Sequence, residues 1–374
     1  MSPVEKASVP TKRKSLLPSL DVELTERCNN DCVHCCINRP AGDRRARRRE
    51  LTAAQLDRVF AQAAQLGCLT VRLTGGEPLL RGDFPEIYLA ARRRGLTVRL
   101  LTNGCLLTPA LAKLLEAVPP LQPVELTAYG RDRRSYERVT RVPGSFAAFQ
   151  SGLGLLAEHR VPFRLKGVLF RGTVGGRRGF EAWATKLSGV RPELTLLLDL
   201  RHRRDSAARN RAIALRRPTP RQVARTTCAD PLFRRQMKLF PGRYMGPQGG
   251  RLFTCSAGYS VCLDAYGRLQ PCLLLRKKEL TYDLGAGTLR DALTRFFPAA
   301  LAVEARGRAF LARCAQCGLK GFCHQCPARA FIENGKLDKP VEYWCAVAHE
   351  QARLLGWRSG PGSLPRLRPG PRAD

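Results

Sequence analysis

The 374-residue chain has no run of about 18 apolar residues, the length a helix needs to cross a bilayer, so no transmembrane segment is expected. The opening stretch MSPVEKASVPTKRKSLLPSL also lacks an apolar core followed by a small-residue cleavage site. A cytoplasmic location is expected. Acidic residues are scarce: 31 Asp and Glu stand against 64 Lys and Arg, a formal net charge of +33. Such an excess favours an acidic partner, although an Arg-rich coding bias would write the same balance, so charge alone does not name one. A composition of 44% hydrophobic and 25% charged residues is that of a folded globular chain. Cysteine is in surplus. Fifteen of them in a small secreted domain would read as disulfides; in a cytoplasmic chain of this length they read as metal ligands, and their spacing decides the matter.

Residues 19–200 alternate short apolar runs with helical patterns, the signature of a parallel sheet built from βα units. Strands are predicted over 20–25, 70–73, 97–102, 124–129, 163–170 and 194–200, and helices over 53–65, 85–94, 109–117, 146–159 and 180–187. Thr52 and Gln55 make a capping box for the first helix, and Gly95 closes the second. The expected class is α/β, with a partial (β/α)6 TIM-type barrel over 19–201, a bridging segment over 202–250 and a small cysteine-rich domain over 251–357. That domain is predicted to contain a hairpin through VCLDAYGRLQPCLLL and a last helix starting near Tyr343. Residues 1–18 and 358–374 are too rich in basic residues, Pro or Gly to pack, and are expected to be disordered.

CNNDCVHC places Cys28, Cys32 and Cys35 directly after the first strand, at the end where βα-barrel enzymes keep their chemistry. Three thiolates leave one iron of a [4Fe-4S] cube open to a small molecule; a three-cysteine zinc site is the other reading. At the next βα junction, LTGGEPLL supplies Gly75, Gly76 and Glu77: glycines let backbone approach a ligand closely, and a carboxylate can accept a hydrogen bond from an amine. A cysteine loop followed by a GGEP strand end resembles the radical S-adenosylmethionine superfamily. The resemblance implies that Cys28, Cys32 and Cys35 hold the catalytic cluster, and that the cofactor chelates the open iron while Gly75, Gly76 and Glu77 hold its methionyl amine. Reductive cleavage would then yield a 5′-deoxyadenosyl radical that abstracts hydrogen from the substrate. His34 stands where the family often has an aromatic residue near the adenine. Asn103, in LTNG, is expected to line the cofactor site, with a turn-forming Asn-Gly as the alternative. Arg138 and Arg141 are equally readable as cofactor contacts or as solvated arginines. Cys36, Cys68, Cys105 and Cys228 fit no pattern and read as small buried apolar residues.

Eight cysteines follow: Cys255, Cys262, Cys272, then CAQCGLKGFCHQC with Cys314, Cys317, Cys323 and Cys326, and finally Cys345. Eight ligands suit two closed tetrahedral sites, with zinc as the physical alternative to iron-sulfur. The arrangement resembles the SPASM extension, through Gly267 to Cys272 and through Cys314 to Cys323, although two residues rather than three separate Cys323 from Cys326. That resemblance implies one auxiliary cluster on Cys255, Cys262, Cys272 and Cys326 and another on Cys314, Cys317, Cys323 and Cys345, for three [4Fe-4S] clusters in all. Such proteins mostly mature peptides or proteins, and some act on porphyrin side chains. Leu273, where sulfatase maturases carry an acidic base, departs from that subgroup.

The function expected is therefore radical modification of a ribosomally made peptide or protein with an acidic segment, driven by a reductant such as flavodoxin or ferredoxin. The Arg-rich stretch 44–49 is placed to recruit such a segment. Radical modification of RNA is a second reading, favoured by the charge but unaccompanied by any recognisable RNA-binding module. A non-catalytic electron carrier is a third; it would explain many cysteines but not an open three-thiolate site beside a glycine loop. Only about twenty residues precede the first strand, so leader recognition is expected to fall to a separate protein or to the basic surface.

Overall fold

The computed structural model describes residues 16–239 and 249–357. Six strands run parallel in chain order: β1 (Ser19–Thr25), β2 (Thr70–Gly75), β3 (Thr97–Thr102), β4 (Val124–Ala128), β5 (Phe163–Val168) and β6 (Glu193–Thr195). Their side chains alternate, as the pleat requires. Leu20, Val22, Leu24, Val71, Leu73, Val98, Leu100, Val124, Leu126 and Leu165 face one way and form a single core with the covering helices. These helices are α2 (Ala53–Gln65), α3 (Phe84–Arg93), α4 (Pro109–Ala117), α5 (Arg133–Thr140), α6 (Ser145–Glu158) and α7 (Arg177–Ser188), preceded by the short α1 (Arg44–Arg49). Phe60 of α2 and Phe84 and Tyr88 of α3 are fully buried in that core, each contributing roughly 2–3 kcal/mol by leaving water. Leu17, expected in a loose N-terminus, is also buried there.

The opposite strand face is ionic. Asp21 pairs with Arg72, and Glu125, 1% exposed, accepts from Arg99 at 2.5 Å and Lys166 at 3.1 Å and also pairs with Arg164. Glu193 extends this lattice through Lys166 at 3.3 Å. Burial opposes the Glu125 charge, but its three cations hold the carboxyl down at about 2.

Three further strands, β7 (Ser260–Leu263), β8 (Arg268–Gln270) and β9 (Tyr282–Asp283), extend the same sheet, giving the order β9-β8-β7-β1-β2-β3-β4-β5-β6. β7 lies parallel to β1, with Leu20 opposite Val261 and Val22 opposite Leu263. The cysteine-rich segment thus begins on the barrel's own sheet, and Val261, Leu263, Leu269 and Phe297 belong to the barrel core. The bridging segment carries three helices that its Arg and Pro content concealed: α8 (Ala207–Arg216), α9 (Pro220–Cys228) and α10 (Pro231–Leu239). β6 stops at Thr195, short of the predicted 200. Two later helices, α11 (Pro327–Asn334) and α12 (Glu342–Leu354), complete the C-terminal part. Among the described residues no helix is long and apolar enough to cross a membrane. The predicted tail 358–374 lies outside the described residues.

Candidate active site

β1 ends at Thr25 and turns into the loop that carries Cys28, Cys32 and Cys35. The loop is closed at its base, where Arg27–Cys28 pairs with Arg39–Pro40 and the Arg39 N–H donates to the Glu26 carbonyl at 2.7 Å. Two clamps hold its body. The Asp31 and Val33 N–H groups donate to the Thr140 and Val139 carbonyls, at 3.0 and 2.9 Å, using acceptors that the C-terminus of α5 leaves unpaired. From the other side, Arg201 donates to the Cys35 carbonyl at 3.2 Å, the His202 N–H to that of Cys36 at 3.0 Å, and Arg203 to that of Ile37 at 2.8 Å. The protein itself sets the loop's shape.

β2 ends in LTGGEP. A Cβ on Gly75, whose φ is +134°, would fall 2.2 Å from the Thr25 carbonyl oxygen, and one on Gly76 would fall 2.2 Å from that of Arg27. What these glycines approach is the stem of the cysteine loop, which the Gly76 and Glu77 N–H groups bind at 2.7 and 2.9 Å. Glu77 is fully buried. It accepts from the Thr102 hydroxyl at 2.6 Å and from the Leu79 and Asn103 N–H groups at 3.0 and 2.7 Å. Burial pushes its carboxyl up to about 7 against those bonds. A carboxylate has about four acceptor positions, so roughly one remains for a further donor such as an amine.

Asn103, at the end of β3, joins the two motifs: its side-chain N–H group donates to Asn29 Oδ1 at 2.8 Å and lies 3.7 Å from the Cys28 sulfur. Cys28 also accepts from the Asn30 N–H at 3.4 Å. Burial pushes the Cys28 and Cys32 thiols up, Cys32 to about 12, with the neighbouring cysteines adding to the rise; thiolates there require a compensating cation. His34 meets Tyr129 and Phe170 edge-on at 5.5 and 5.3 Å, and burial lowers its ring to about 4, so it is neutral. Arg141 donates to the Asp31 carbonyl at 2.8 Å, supporting the cysteine loop.

In the C-terminal part, burial raises the Cys314, Cys323 and Cys345 thiols, and neighbouring cysteines, Cys317 among them, add to the rise. The Leu319 and Gln325 N–H groups donate to Cys317 and Cys323, both at 3.4 Å. Cys272 has Cys326 and Cys255 as electrostatic neighbours. Cys262 is fully buried in β7, opposite Asp21 and Gln270, with Glu23, Arg276 and Asp264 as its charged neighbours. A strand interior holds its side chain on the ionic face of the sheet.

The radical SAM superfamily model matches residues 22–175. Residues 22–175 are a radical SAM domain. An AdoMet-dependent heme synthase of Methanosarcina barkeri is 33% identical over 147 residues, covering 38% of this chain and 40% of that protein. A PqqA peptide cyclase of Ruegeria pomeroyi is 29% identical over 262 residues, covering 67% of this chain and 66% of that protein. The chain thus aligns with less than two thirds of either relative. The crystal structure of Streptococcus suis SuiB bound to precursor peptide SuiA superposes with a TM-score of 0.64 at 15% identity, over 87% of this chain and 74% of that one, and so shares the fold. The radical SAM family and these relatives are enzymes.

A radical SAM domain implies one [4Fe-4S] cluster and S-adenosylmethionine. The donor set fits. A cubane takes each thiolate on a different iron, which suits three sulfurs on one closed loop.

Two features escaped sequence reasoning. Tyr129, at the end of β4, hydrogen-bonds the Cys32 sulfur; only its place one residue past a strand hinted at this. Below the loop, Arg276 donates to both oxygens of the buried Glu23 at 2.5 and 2.6 Å and to Glu26 at 3.3 Å. Glu26 also accepts from Arg39 and the Tyr266 hydroxyl, each at 3.0 Å.

Proposed function

We propose that the chain is a radical SAM enzyme that matures a ribosomally made peptide or protein. Cys28, Cys32 and Cys35 hold the catalytic cluster. Gly75 and Gly76 position the cofactor's methionyl end, Glu77 offers its remaining acceptor position to the amine, Asn103 orients the Cys28 side of the loop, and neutral His34 packs against the adenine. Bound together, cluster and S-adenosylmethionine supply a carbon radical that abstracts hydrogen from the substrate. The chain's own part is to fix the loop and exclude water. Cys314, Cys317, Cys323 and Cys345 hold one auxiliary [4Fe-4S] cluster, and Cys255, Cys272 and Cys326 hold a second. An acidic substrate segment and a flavodoxin- or ferredoxin-type reductant complete the system.

The observation that carries this reading is the junction of both motifs at one point: Asn103 binds Glu77 through its backbone and reaches Cys28 through its side chain. The test is anaerobic reconstitution followed by reduction with dithionite. Iron and sulfide near eight to twelve per chain, with 5′-deoxyadenosine released, are expected. Zinc as the main metal, or no 5′-deoxyadenosine, would sink the reading. A porphyrin substrate is the second reading, favoured by the heme synthase relative; retention of a porphyrin but of no acidic peptide would select it.

A further inference from the structure

Between β6 and α8 the chain buries an arginine: Arg201 is 4% exposed. Taking a guanidinium out of water is costly unless its donors are paired, and here each of them is. Nε and one terminal nitrogen donate to the two oxygens of Asp205, at 2.5 and 2.9 Å. The same terminal nitrogen donates to the Asn38 carbonyl at 3.2 Å, and the other donates to the Asn38 side chain at 3.0 Å and to the Cys35 carbonyl at 3.2 Å. Five N–H donors thus meet five acceptors, which fixes the cation in place and leaves no donor for a ligand. Its backbone N–H donates to the Asn210 side chain on α8 at 2.9 Å.

The charges on the two edges of this fork differ in setting. Asp205 takes the edge opposite the nitrogen that reaches Cys35, and its side chain is 34% exposed. Burial opposes its charge, but Arg201 and Arg203 hold its carboxyl well below the usual range, so it is ionised. The guanidinium has the Cys35 and Cys36 sulfurs as its next electrostatic partners after Asp205. Beside the other two loop cysteines the charged neighbours are acidic: Glu77 for Cys28 and Asp31 for Cys32.

We propose that Arg201 is a positioning residue that also poises the catalytic cluster, its buried charge raising the reduction potential and Asp205 moderating the rise. The proposal rests on the assignment of that cluster to Cys28, Cys32 and Cys35. Reduction adds one electron, and so one negative charge, to the cluster. A fixed cation beside a ligand favours that state, the more so where the dielectric is low. The same fork holds the Cys35 carbonyl, so loop shape and potential both depend on one side chain, which lies outside the segment 22–175 matched by the family.

The test is a potentiometric titration of anaerobically reconstituted holoenzyme followed by electron paramagnetic resonance. The variant with Ala at Cys28, Cys32 and Cys35 is the reference that identifies the catalytic signal. In Arg201→Met the reduced-to-oxidised ratio at a set potential should fall about tenfold, equivalent to about 59 mV for one electron. Asp205→Asn should shift the ratio the opposite way by a few-fold, because it removes a negative charge while its carbonyl still accepts from Arg201. Arg201→Lys keeps the charge without the fork, so its potential should stay closer to wild type than that of Arg201→Met. Shifts of one sign in the Met and Asn variants, no shift in either, or a Lys variant equal to Met would overturn the proposal, since each outcome makes Arg201 a packing element alone. If Arg201→Met takes up no cluster, Asp205→Asn decides: a raised potential supports the proposal and an unchanged one overturns it. A catalytic signal that persists without Cys28, Cys32 and Cys35 would instead defeat the ligand assignment, and the proposal with it.

Discussion

The two cysteine-bearing regions are held together in different ways. Cys28, Cys32 and Cys35 share one short loop, closed at its base and clamped by α5 and by residues 201–203. The C-terminal cysteines come from separate pieces of chain: Cys314 ends a helical turn, Cys326 caps α11 and Cys345 lies within α12. Backbone bonds and an ionic lattice build the first region. The second has small apolar clusters, such as Met237, Leu319, Phe322, Ala348 and Ala352, and buries thiols such as Cys323, whose thiolate burial disfavours unless a cation compensates. A catalytic site must keep its shape while a ligand comes and goes, whereas a closed cluster can itself be the fastening.

The largest effect that would separate the regions comes from replacing Cys28, Cys32 and Cys35 with Ala. 5′-Deoxyadenosine release should fall to background, while iron drops only from about twelve to about eight per chain, since the other clusters remain. Cofactor cleavage at the wild-type rate would refute the assignment. Within the second region, Cys272→Ala should remove about four irons and abolish product formation more than cofactor cleavage, whereas Cys262→Ala should keep the full iron content. Equal iron loss in both variants would return Cys262 to the ligand set.

Stability offers the next contrast. Glu125→Gln leaves the half-buried Arg99, Arg164 and Lys166 around a neutral group, and losing charge-assisted bonds of this kind costs about 1.5–3 kcal/mol. The loss should lower the Tm of the barrel whether or not iron is bound. Because the Glu125 carboxyl is held below its ordinary value, its contribution is present above about pH 4.5 and disappears as pH falls toward 2. The Gln variant should therefore lose acid sensitivity in that window. Iron chelation should do the reverse, raising hydrogen exchange in α11 and α12 while the barrel strands stay protected. Uniform exchange after chelation would erase the distinction between the regions.

How much of this was legible depended on sequence distance. α2 was predicted at its observed bounds because Thr52 and Gln55 advertise its start, and both oxygens make the expected bonds at 3.2 and 2.8 Å. α5 was missed because its arginines read as a solvated stretch, although Asp132 and Ser135 form a capping box of the same kind. Cys262 fits a spacing pattern, and it also alternates with Val261 and Leu263, which marks a strand and so the face its side chain takes. The Glu23–Arg276 pair could not have been read at all. It joins residues 253 positions apart through the pairing of β7 with β1, and that pairing is a tertiary fact.

The smallest effect expected is at α1. Its arginines form a helix capped by Asp43, whose side chain accepts from the Ala46 N–H at 2.9 Å. Arg44, Arg45, Arg47, Arg48 and Arg49 are exposed, and Arg49 lies over the Tyr266 ring at 4.5 Å. Tyr266 in turn binds Glu26, so α1 sits beside the polar network rather than at Cys32 and Cys35. A cationic helix there would raise the local concentration of an acidic peptide without touching the cofactor. Replacing the five arginines with Ser should raise peptide KM by a few-fold and flatten its salt dependence, since exposed charges are screened beyond about 8 Å at physiological salt. Cofactor cleavage without peptide should not change. A wild-type KM and salt response in the Ser variant would mean that α1 is only a solvated face, and that the acidic segment, if the substrate has one, is read elsewhere.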